Sequence, residues 1–376
     1  MAYKKLSLDP RHALNAICPY YTMFPLEYPL SILRRRRGEA VRRVVDPFCG
    51  RGTTLYGARF LGIESWGIDT SPVAVAIARA KLSRATTDQA VSLSREILAS
   101  EPEQSVPEGN FWRHAFHPVT LADICRLRSG LARRRSDAAA LLRALALGCL
   151  HGPLTKDNQN PSYFSNQMPR TFAPKPNYSV RFWREHRLRA PRASIINVIT
   201  KKAERLDLSL LPAISHAHHV IEGNAELRET FSLLPSGFDT AITSPPYFGM
   251  SLYIQDQWLR NWFLGGHSVV DYGRTDQVAH SNPEEFTASL ARVWDNIGRV
   301  KRRGRPQNLF IRFGAIPSKM VDPREILTQS LLLSRYPWRI IEMKSAKTAV
   351  SGQRQATQMS IDSDSVREYD THAVLG

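Results

Sequence analysis

The chain has 376 residues, 43% of them hydrophobic and 23% charged, ordinary globular usage that excludes a disordered or fibrous protein. Lys+Arg 51 against Asp+Glu 34 leaves a net charge of +17 and a pI near 10.0, so a polyanion is the expected partner. No uninterrupted apolar run reaches the roughly 20 residues of a spanning helix; Ala138 to Leu150, the best candidate, carries Arg143.

The opening stretch, MAYKKLSLDPRHAL, is basic with no apolar segment behind it, so no secretion signal is read there and the expectation is a cytoplasmic protein with no membrane partner. Val41 to Val45 is a short buried strand, followed by the turn Asp46-Pro47-Phe48-Cys49-Gly50-Arg51-Gly52 and a helix from Thr53 to Leu61 that Gly62 stops. Ser65 to Ile68 is a second strand ending at Asp69, and Pro72 to Leu82 is an Ala-rich helix with proline at its start. This βαβα opening is the signature of a parallel sheet packed between helices. From Thr86 to Ala217 the strand pattern disappears, with helices over Leu121 to Arg135 and Ala138 to Cys149 and a Pro-, aromatic- and Arg-rich stretch from Asn160 to His186. Strand-like runs return at His219 to Glu222, Phe238 to Thr243, Asn308 to Phe313, Trp338 to Met343 and Tyr369 to Leu375, the last two pairing as an antiparallel hairpin. The expected fold class is therefore α/β, a seven-stranded Rossmann-like sheet with helices on both faces and a helical insertion. Its division is residues 1–85 and 218–376 for the core and 86–217 for the insertion. The four cysteines, Cys18, Cys49, Cys125 and Cys149, show no CxxC and no zinc spacing, which reads as reduced thiols with no metal site.

In an open parallel sheet, ligands bind beyond the carboxyl ends of the strands, where a glycine-rich first turn lets backbone approach closely. Asp46 to Gly52 has that position, and Asp69 at the tip of the next strand can accept hydrogen bonds from a ribose. A carboxylate at Asp46 would repel a pyrophosphate, whereas a cofactor carrying a sulfonium and an ammonium meets no such objection. A nicotinamide oxidoreductase is disfavoured on the same ground. The second telling stretch is FDTAITSPPYFGM, Phe238 to Met250. Two prolines with fixed φ and no N–H stiffen the strand-end loop. The Ser244 hydroxyl and Pro245 carbonyl are acceptors there, and Tyr247 offers a flat face beside them. That combination suits a planar ring bearing an NH2 group.

DPFCGRGTT and TSPPYFGM resemble motifs of the amino-methyltransferases of DNA, which transfer methyl from S-adenosyl-L-methionine to an exocyclic base nitrogen; the SPPY form is typical of the cytosine-N4 type. CPYYTMFPLEYPLSIL, Cys18 to Leu33, is similar to the family's cofactor-covering segment, and EGNA, Glu222 to Ala225, resembles the loop near its adenine, with Asn224 where Asp is common. The resemblance implies a seven-stranded methyltransferase sheet, S-adenosyl-L-methionine as cofactor, and DNA methylation on a flipped base. It implies cofactor contacts from Tyr21, Phe24, Pro25, Asp46, Pro47, Phe48, Cys49, Gly50, Gly52, Thr53, Thr54, Asp69 and Asn224, and a catalytic loop of Ser244, Pro245, Pro246 and Tyr247. Double-stranded DNA, read sequence-specifically, is the implied partner, and a cognate restriction endonuclease acting on the same site would accompany it. Cytosine-C5 enzymes use a Pro-Cys nucleophile, and the chain contains no such dipeptide. The insertion precedes the EGNA strand, unlike the usual placement of a target-recognition region in this motif order.

Within the insertion, Arg170, Lys175, Arg181 and Arg184 alternate with aromatic residues and with Asn166 and Gln167, residue types that read base edges. These six are the candidate DNA contacts. The runs at Arg34 to Arg37, Arg133 to Arg135 and Lys301 to Arg305 can neutralise phosphates. His216, His218 and His219 lack a companion acidic or Cys cluster and are read as structural. Two rivals stay open: the same chemistry on adenine N6 or on an RNA amine, and a nucleic-acid-binding module that kept the fold without catalysis.

Overall fold

The computed structural model describes residues 10–20, 24–35, 41–100, 105–153, 159–168, 175–206, 208, 211–214, 216–249, 253–271, 282–315, 321–346 and 367–376. Its chain divides into two compact units. The first comprises Met1–Tyr21, Arg79–Ala213 and Tyr253–Arg274, and the second Thr22–Ala78, Ile214–Leu252 and Thr275–Gly376. The expected 86–217 insertion thus falls, up to Ala213, in one unit with Met1–Tyr21, residues 79–85 and Tyr253–Arg274, which the sequence division places in the core.

The second unit is built on a seven-stranded sheet: β1 (Arg43–Asp46), β2 (Glu64–Asp69), β3 (His218–Glu222), β4 (Thr240–Thr243), β5 (Gln307–Ala315), β6 (Arg339–Ser345) and β7 (Arg367–Leu375). The spatial order is β3-β2-β1-β4-β5-β7-β6. Strands β1 to β5 pair in parallel, and β7 runs antiparallel to both β5 and β6. The expected hairpin of the last two strands is present, with β7 inserted beside β5. Alternating side chains serve two faces. On one, Val44 and Ile242 pack with Ile32, Leu33 and Ala58 from α1 (Glu27–Arg35) and α2 (Thr53–Leu61). On the other, Val45, Ala241, Leu309, Ile311 and Phe313 meet Phe286, Leu290, Trp294 and Leu327 from α13 (Pro283–Arg299) and α14 (Pro323–Leu333). The sheet is thus covered on both faces, and the central strands β1 and β4 are buried over nearly their whole length.

Helix ends follow local chemistry. Gly52 (φ 74) caps the start of α2 and Gly62 (φ 64) its end, the latter donating to the Ala58 and Arg59 carbonyls. In the first unit, α6 (Pro118–Ala132) begins three residues before the expected Leu121, because the His117 side chain caps the Val119 N–H and Pro118 occupies the first turn. The helix α7 (Asp137–Cys149) starts one residue early, where the Ser136 side chain accepts the Ala139 N–H.

Among the described residues the regular structure of that unit is helical, with α4 (Thr87–Leu98), α5 (Asn110–Ala115), α8 (Pro176–Glu185), α9 (Ile195–Glu204), α11 (Tyr253–Asp256) and α12 (Trp258–Phe263) alongside α6 and α7. Its core is aromatic: Phe111 and Trp258 lie 4.9 Å apart, Trp112 and Trp262 4.5 Å apart. Arg260, fully buried, ties its three segments together. The guanidinium donates to the Pro19 carbonyl at 2.8 Å, the Leu147 carbonyl at 3.2 Å and Gln257 at 2.8 Å. All four cysteines are buried thiols. Among the described residues no helix is long and apolar enough to cross a membrane.

In the sheet unit, Arg312 on β5 grips Asp370 on β7 through two bonds of 2.7 and 2.8 Å, and its guanidinium lies 4.1 Å from the Tyr28 ring. The pair is shielded, with side chains 8% and 18% exposed. The Arg134–Glu96 pair, at 39% and 63%, is open to water. Breaking a shielded pair strands a buried charge. Asp370→Ala should therefore cost about 3 kcal/mol in urea unfolding, and Arg134→Ala less than about 1 kcal/mol.

Candidate functional site

The carboxyl edge of the sheet gathers the motifs. β1 ends at Asp46 and its neighbour β4 at Thr243, and the buried Thr243 hydroxyl donates to Asp46 Oδ1 at 2.7 Å, joining residues 197 apart in the chain. Oδ1 also accepts the Phe48 N–H at 3.2 Å, which bends the chain into the glycine loop. At the tip of β2, Asp69 holds that loop from the other side, its Oδ2 accepting the Gly50 N–H at 2.8 Å and its Oδ1 the Ser71 N–H at 2.9 Å. The Gly223 N–H of the EGNA loop donates to the Asp69 carbonyl at 3.0 Å.

The two glycines do different work. Gly52 sits so close to α3 (Pro72–Lys81) that an added Cβ would come within 2.8 Å of the Ala78 Cβ, so it permits helix-on-helix packing. Gly50 (φ +49) has nothing within 4 Å of that position; its bare edge faces open space, the opening a ligand requires.

Burial sets the electrostatics. It pushes Asp46 from its ordinary 3.8 up to about 7, opposed by hydrogen bonds from Thr243 and the Phe48 N–H and reinforced by the Asp69 charge. It pushes Asp69 up to about 6, opposed by the Ser71 and Gly50 N–H groups. Tyr28 is raised as well, by burial first and then by Asp370. No cationic side chain is among the causes acting on either aspartate. The site is therefore two shielded carboxyls whose ionised forms gain from a positively charged occupant.

Ser244 follows directly on β4. Neither its hydroxyl nor the Pro245 carbonyl has a hydrogen-bond partner among the described residues. Pro245 is buried, and Ser244, Pro246 and Tyr247 are half-buried. Tyr247 is clamped: its hydroxyl donates to Glu368 at the start of β7, and its ring meets Phe313 edge-on at 6.3 Å. The next ring, Phe248, is buried against Phe286 at 5.4 Å and serves the core.

Other expected residues divide by placement. Phe24 is buried, 5.2 Å from Tyr28, and Pro25 is exposed at the start of α1. Pro47 is buried, and Phe48 packs half-buried on the core. Cys49 points inward onto β2, where its side chain fills the space a Cβ on Gly67 would need. Thr53 is buried, and the Thr54 hydroxyl turns into the sheet to the Ile242 carbonyl at 3.3 Å. Cys49 and Thr54 thus shape the loop from beneath instead of facing a ligand. Asn224 forms a turn, its Oδ1 accepting the Glu226 N–H at 2.9 Å. Tyr21 lies outside the described residues. His218 bonds Ser65 and His219 stacks on Trp66; among the described residues no group of His, Cys, Asp or Glu could hold a metal ion.

Among the DNA-contact candidates, Lys175, Arg181 and Arg184 are exposed on or beside α8, and Arg170 lies outside the described residues. Asn166 is buried, its amide spent on the His114 and Leu188 carbonyls and on the Gln167 N–H. Gln167 accepts the Trp183 indole N–H on its backbone carbonyl. Asn166 thus has no amide edge to offer a base: it is a strut of the loop.

Glu368 and the Arg312–Asp370 pair were missed by sequence reasoning. Glu368 lies 121 residues from Tyr247, and only strand pairing brings them together.

No protein-family model and no curated protein matches the chain. Among solved structures, the rRNA methyltransferase AviRa of Streptomyces viridochromogenes aligns over 99% of this chain and 93% of its own, at 11% identity and a TM-score of 0.32. Haemonchus contortus phosphoethanolamine N-methyltransferase 1, solved with phosphoethanolamine and S-adenosylhomocysteine, aligns over 98% and 91%, at 9% identity and a TM-score of 0.20. At such scores neither likeness bears on this chain's activity.

The raised carboxyl at Asp46 makes a stability prediction. Its neutral form favours the fold, so that contribution is full below the ordinary 3.8 and is lost as pH rises through about 7. Asp46→Asn keeps an acceptor for Thr243 and Phe48 without the charge. In thermal unfolding at pH 8 the unliganded variant should be more stable than the parent, by an amount on the order of 2 to 4 kcal/mol, with the gap shrinking toward pH 5. A lower midpoint at pH 8 would contradict the assignment.

Proposed function

We propose that the chain is an S-adenosyl-L-methionine-dependent methyltransferase acting on an exocyclic amine of a nucleobase, the N4 amine of cytosine in double-stranded DNA. The observation that carries this is the joint edge at Asp46 and Ser244. Among the described residues, a carboxyl pair without a cationic side-chain partner lies beside a rigid loop whose serine hydroxyl and proline carbonyl have no hydrogen-bond partner. Shielded carboxyls suit a ligand with a sulfonium and an ammonium, and the open space at Gly50 admits it. S-adenosyl-L-methionine bound there supplies an electrophilic methyl.

The chain's own residues do the rest. Asp69, with one lone-pair position on each oxygen already used, keeps acceptor capacity for ribose hydroxyls. Asp46 balances positive charge at the end of β1. The amine of cytosine is a poor nucleophile because its lone pair is conjugated into the ring. Accepting its hydrogens at Ser244 Oγ and the Pro245 carbonyl favours a pyramidal nitrogen, and fixed orientation lowers the remaining barrier. Tyr247, held by Glu368 and Phe313, presents its face to the base. A duplex base reaches such a pocket only after flipping, at a cost of a few kcal/mol that stacking on Tyr247 offsets. Sequence-specific action beside a partner endonuclease is the context this reading fits.

The test is nucleoside mass spectrometry of duplex DNA incubated with the protein and S-adenosyl-L-methionine. N4-methylcytosine is expected, reduced on the order of 100-fold or more by Ser244→Ala. N6-methyladenine would replace the base and keep the chemistry. No methylated nucleoside in any DNA or RNA would overturn the proposal.

A further inference from the structure

Helix α8 is amphipathic in an unusual sense, since its outward face carries cations and exposed rings with hardly any acid. Ser179, Val180 and Trp183 are buried, and the Trp183 indole is anchored to the Gln167 carbonyl. Facing away are Lys175, Tyr178, Arg181 and Arg184, and the chain then continues through Arg187, Arg189 and Arg192, all exposed. From residue 175 to 192 there are six cations against Glu185 alone, 6 − 1 = +5 of the chain's +17. None of the six forms an ion pair with a carboxylate among the described residues.

The side chains are also pre-ordered. The Arg181 guanidinium rests over the Tyr178 ring at 6.0 Å, the Arg184 Nε faces His114 Nε2 at 3.4 Å, and Phe182 and His186 rings lie 4.3 Å apart. Ordering before contact lowers the entropy lost on binding.

We propose that α8 and the following 186–192 segment form a nucleic-acid backbone clamp: a surface that grips phosphates and reads no bases. Residue chemistry supports both halves. Uncompensated guanidinium groups match phosphate geometry, and phosphate contacts position a duplex without specifying its sequence. Of the two amides among the candidate contacts, Asn166 is buried and fully engaged, and Gln167 is half-buried beside it. Two other basic runs are poorer candidates. Arg134 is paired with Glu96 and Arg135 bonds main-chain carbonyls. Lys301 to Arg305 leads into the amino end of β5, the sheet edge opposite Asp46 and Ser244. The clamp rests on the nucleic-acid acceptor proposed above, but it concerns binding, so it is tested without methyl transfer.

The experiment compares the full-length protein with Arg181→Gln/Arg184→Gln/Arg189→Gln and, as a charge-matched control, Lys301→Gln/Arg303→Gln/Arg305→Gln. Binding of a labelled DNA duplex is followed by fluorescence anisotropy across a salt series. Each lost phosphate contact flattens the log K against log salt slope by about 0.9, so the α8 variant should lose roughly 2.7, equally on unrelated sequences, while the control keeps most of the parent slope. Equal flattening in both variants would show a net-charge effect and overturn the clamp, as would an unchanged slope in the α8 variant. Sequence-selective loss would make the surface a base reader. Loss of binding to phosphatidylserine vesicles with DNA binding intact would assign it to a membrane. A clamp that passes in a protein that methylates nothing would sink the proposed activity and leave the surface standing.

Discussion

One buried hydrogen bond carries the architecture of the site. The Thr243 hydroxyl on Asp46 Oδ1 joins the carboxyl ends of two adjacent parallel strands. In doing so it fixes the glycine loop that follows β1 against the proline loop that follows β4. Either loop alone would be a turn with a packing role. Together they place a carboxyl pair beside unsatisfied acceptors, and everything inferred about chemistry follows from that adjacency. The outer strands add the remaining constraint: β7 runs back beside β5, bringing Glu368 to the Tyr247 hydroxyl and Asp370 to Arg312. The antiparallel strand therefore completes a site that a purely parallel sheet would leave open on one side.

The same burial that shapes this edge makes it costly. Two carboxyls with no cationic side chain to balance them favour the neutral state, Asp46 at about 7 and Asp69 at about 6. A protein selected for stability alone would place asparagine there. Under the proposed function, keeping the acids leaves an edge whose ionised form a cationic ligand would complete, so that binding energy would be drawn from relief of an unfavourable ground state. Glycine chemistry points the same way, with Gly52 explained by the close approach of Ala78 and Gly50 only by its backbone conformation and open surroundings.

Much of this was legible in the sequence because it is local. The helix over Thr53–Leu61 announced itself through flanking glycines at Gly52 and Gly62, and all seven strands lie where the sequence has short strand-like runs. Asp46, Asp69 and Ser244 could be placed at strand tips because the sheet geometry dictates where strands end. What escaped depends on contacts distant in sequence. Nothing near Glu368 indicates that it meets Tyr247, since that contact is decided by β7 pairing with β5. Cys49 and Thr54 sit in or beside the glycine loop, yet their direction is set by Gly67 and Ile242 beneath them. Asn166 looked like a base reader because composition does not reveal burial. Unit 1 misled for the same reason: Arg260 joins three chain segments, and a boundary drawn along the chain separates them.

The central claim is that the edge at Asp46 and Asp69 completes itself with a cationic nucleoside cofactor. Calorimetric titration of the protein with S-adenosyl-L-methionine near pH 6.5, in buffers of different ionisation enthalpy, tests it most directly. Proton release on binding is expected, since a positive ligand returns Asp46 from about 7 toward the ordinary carboxylate range, together with affinity that tightens as pH rises to 8. Absence of binding, or binding with proton uptake and an affinity indifferent to pH, would contradict it.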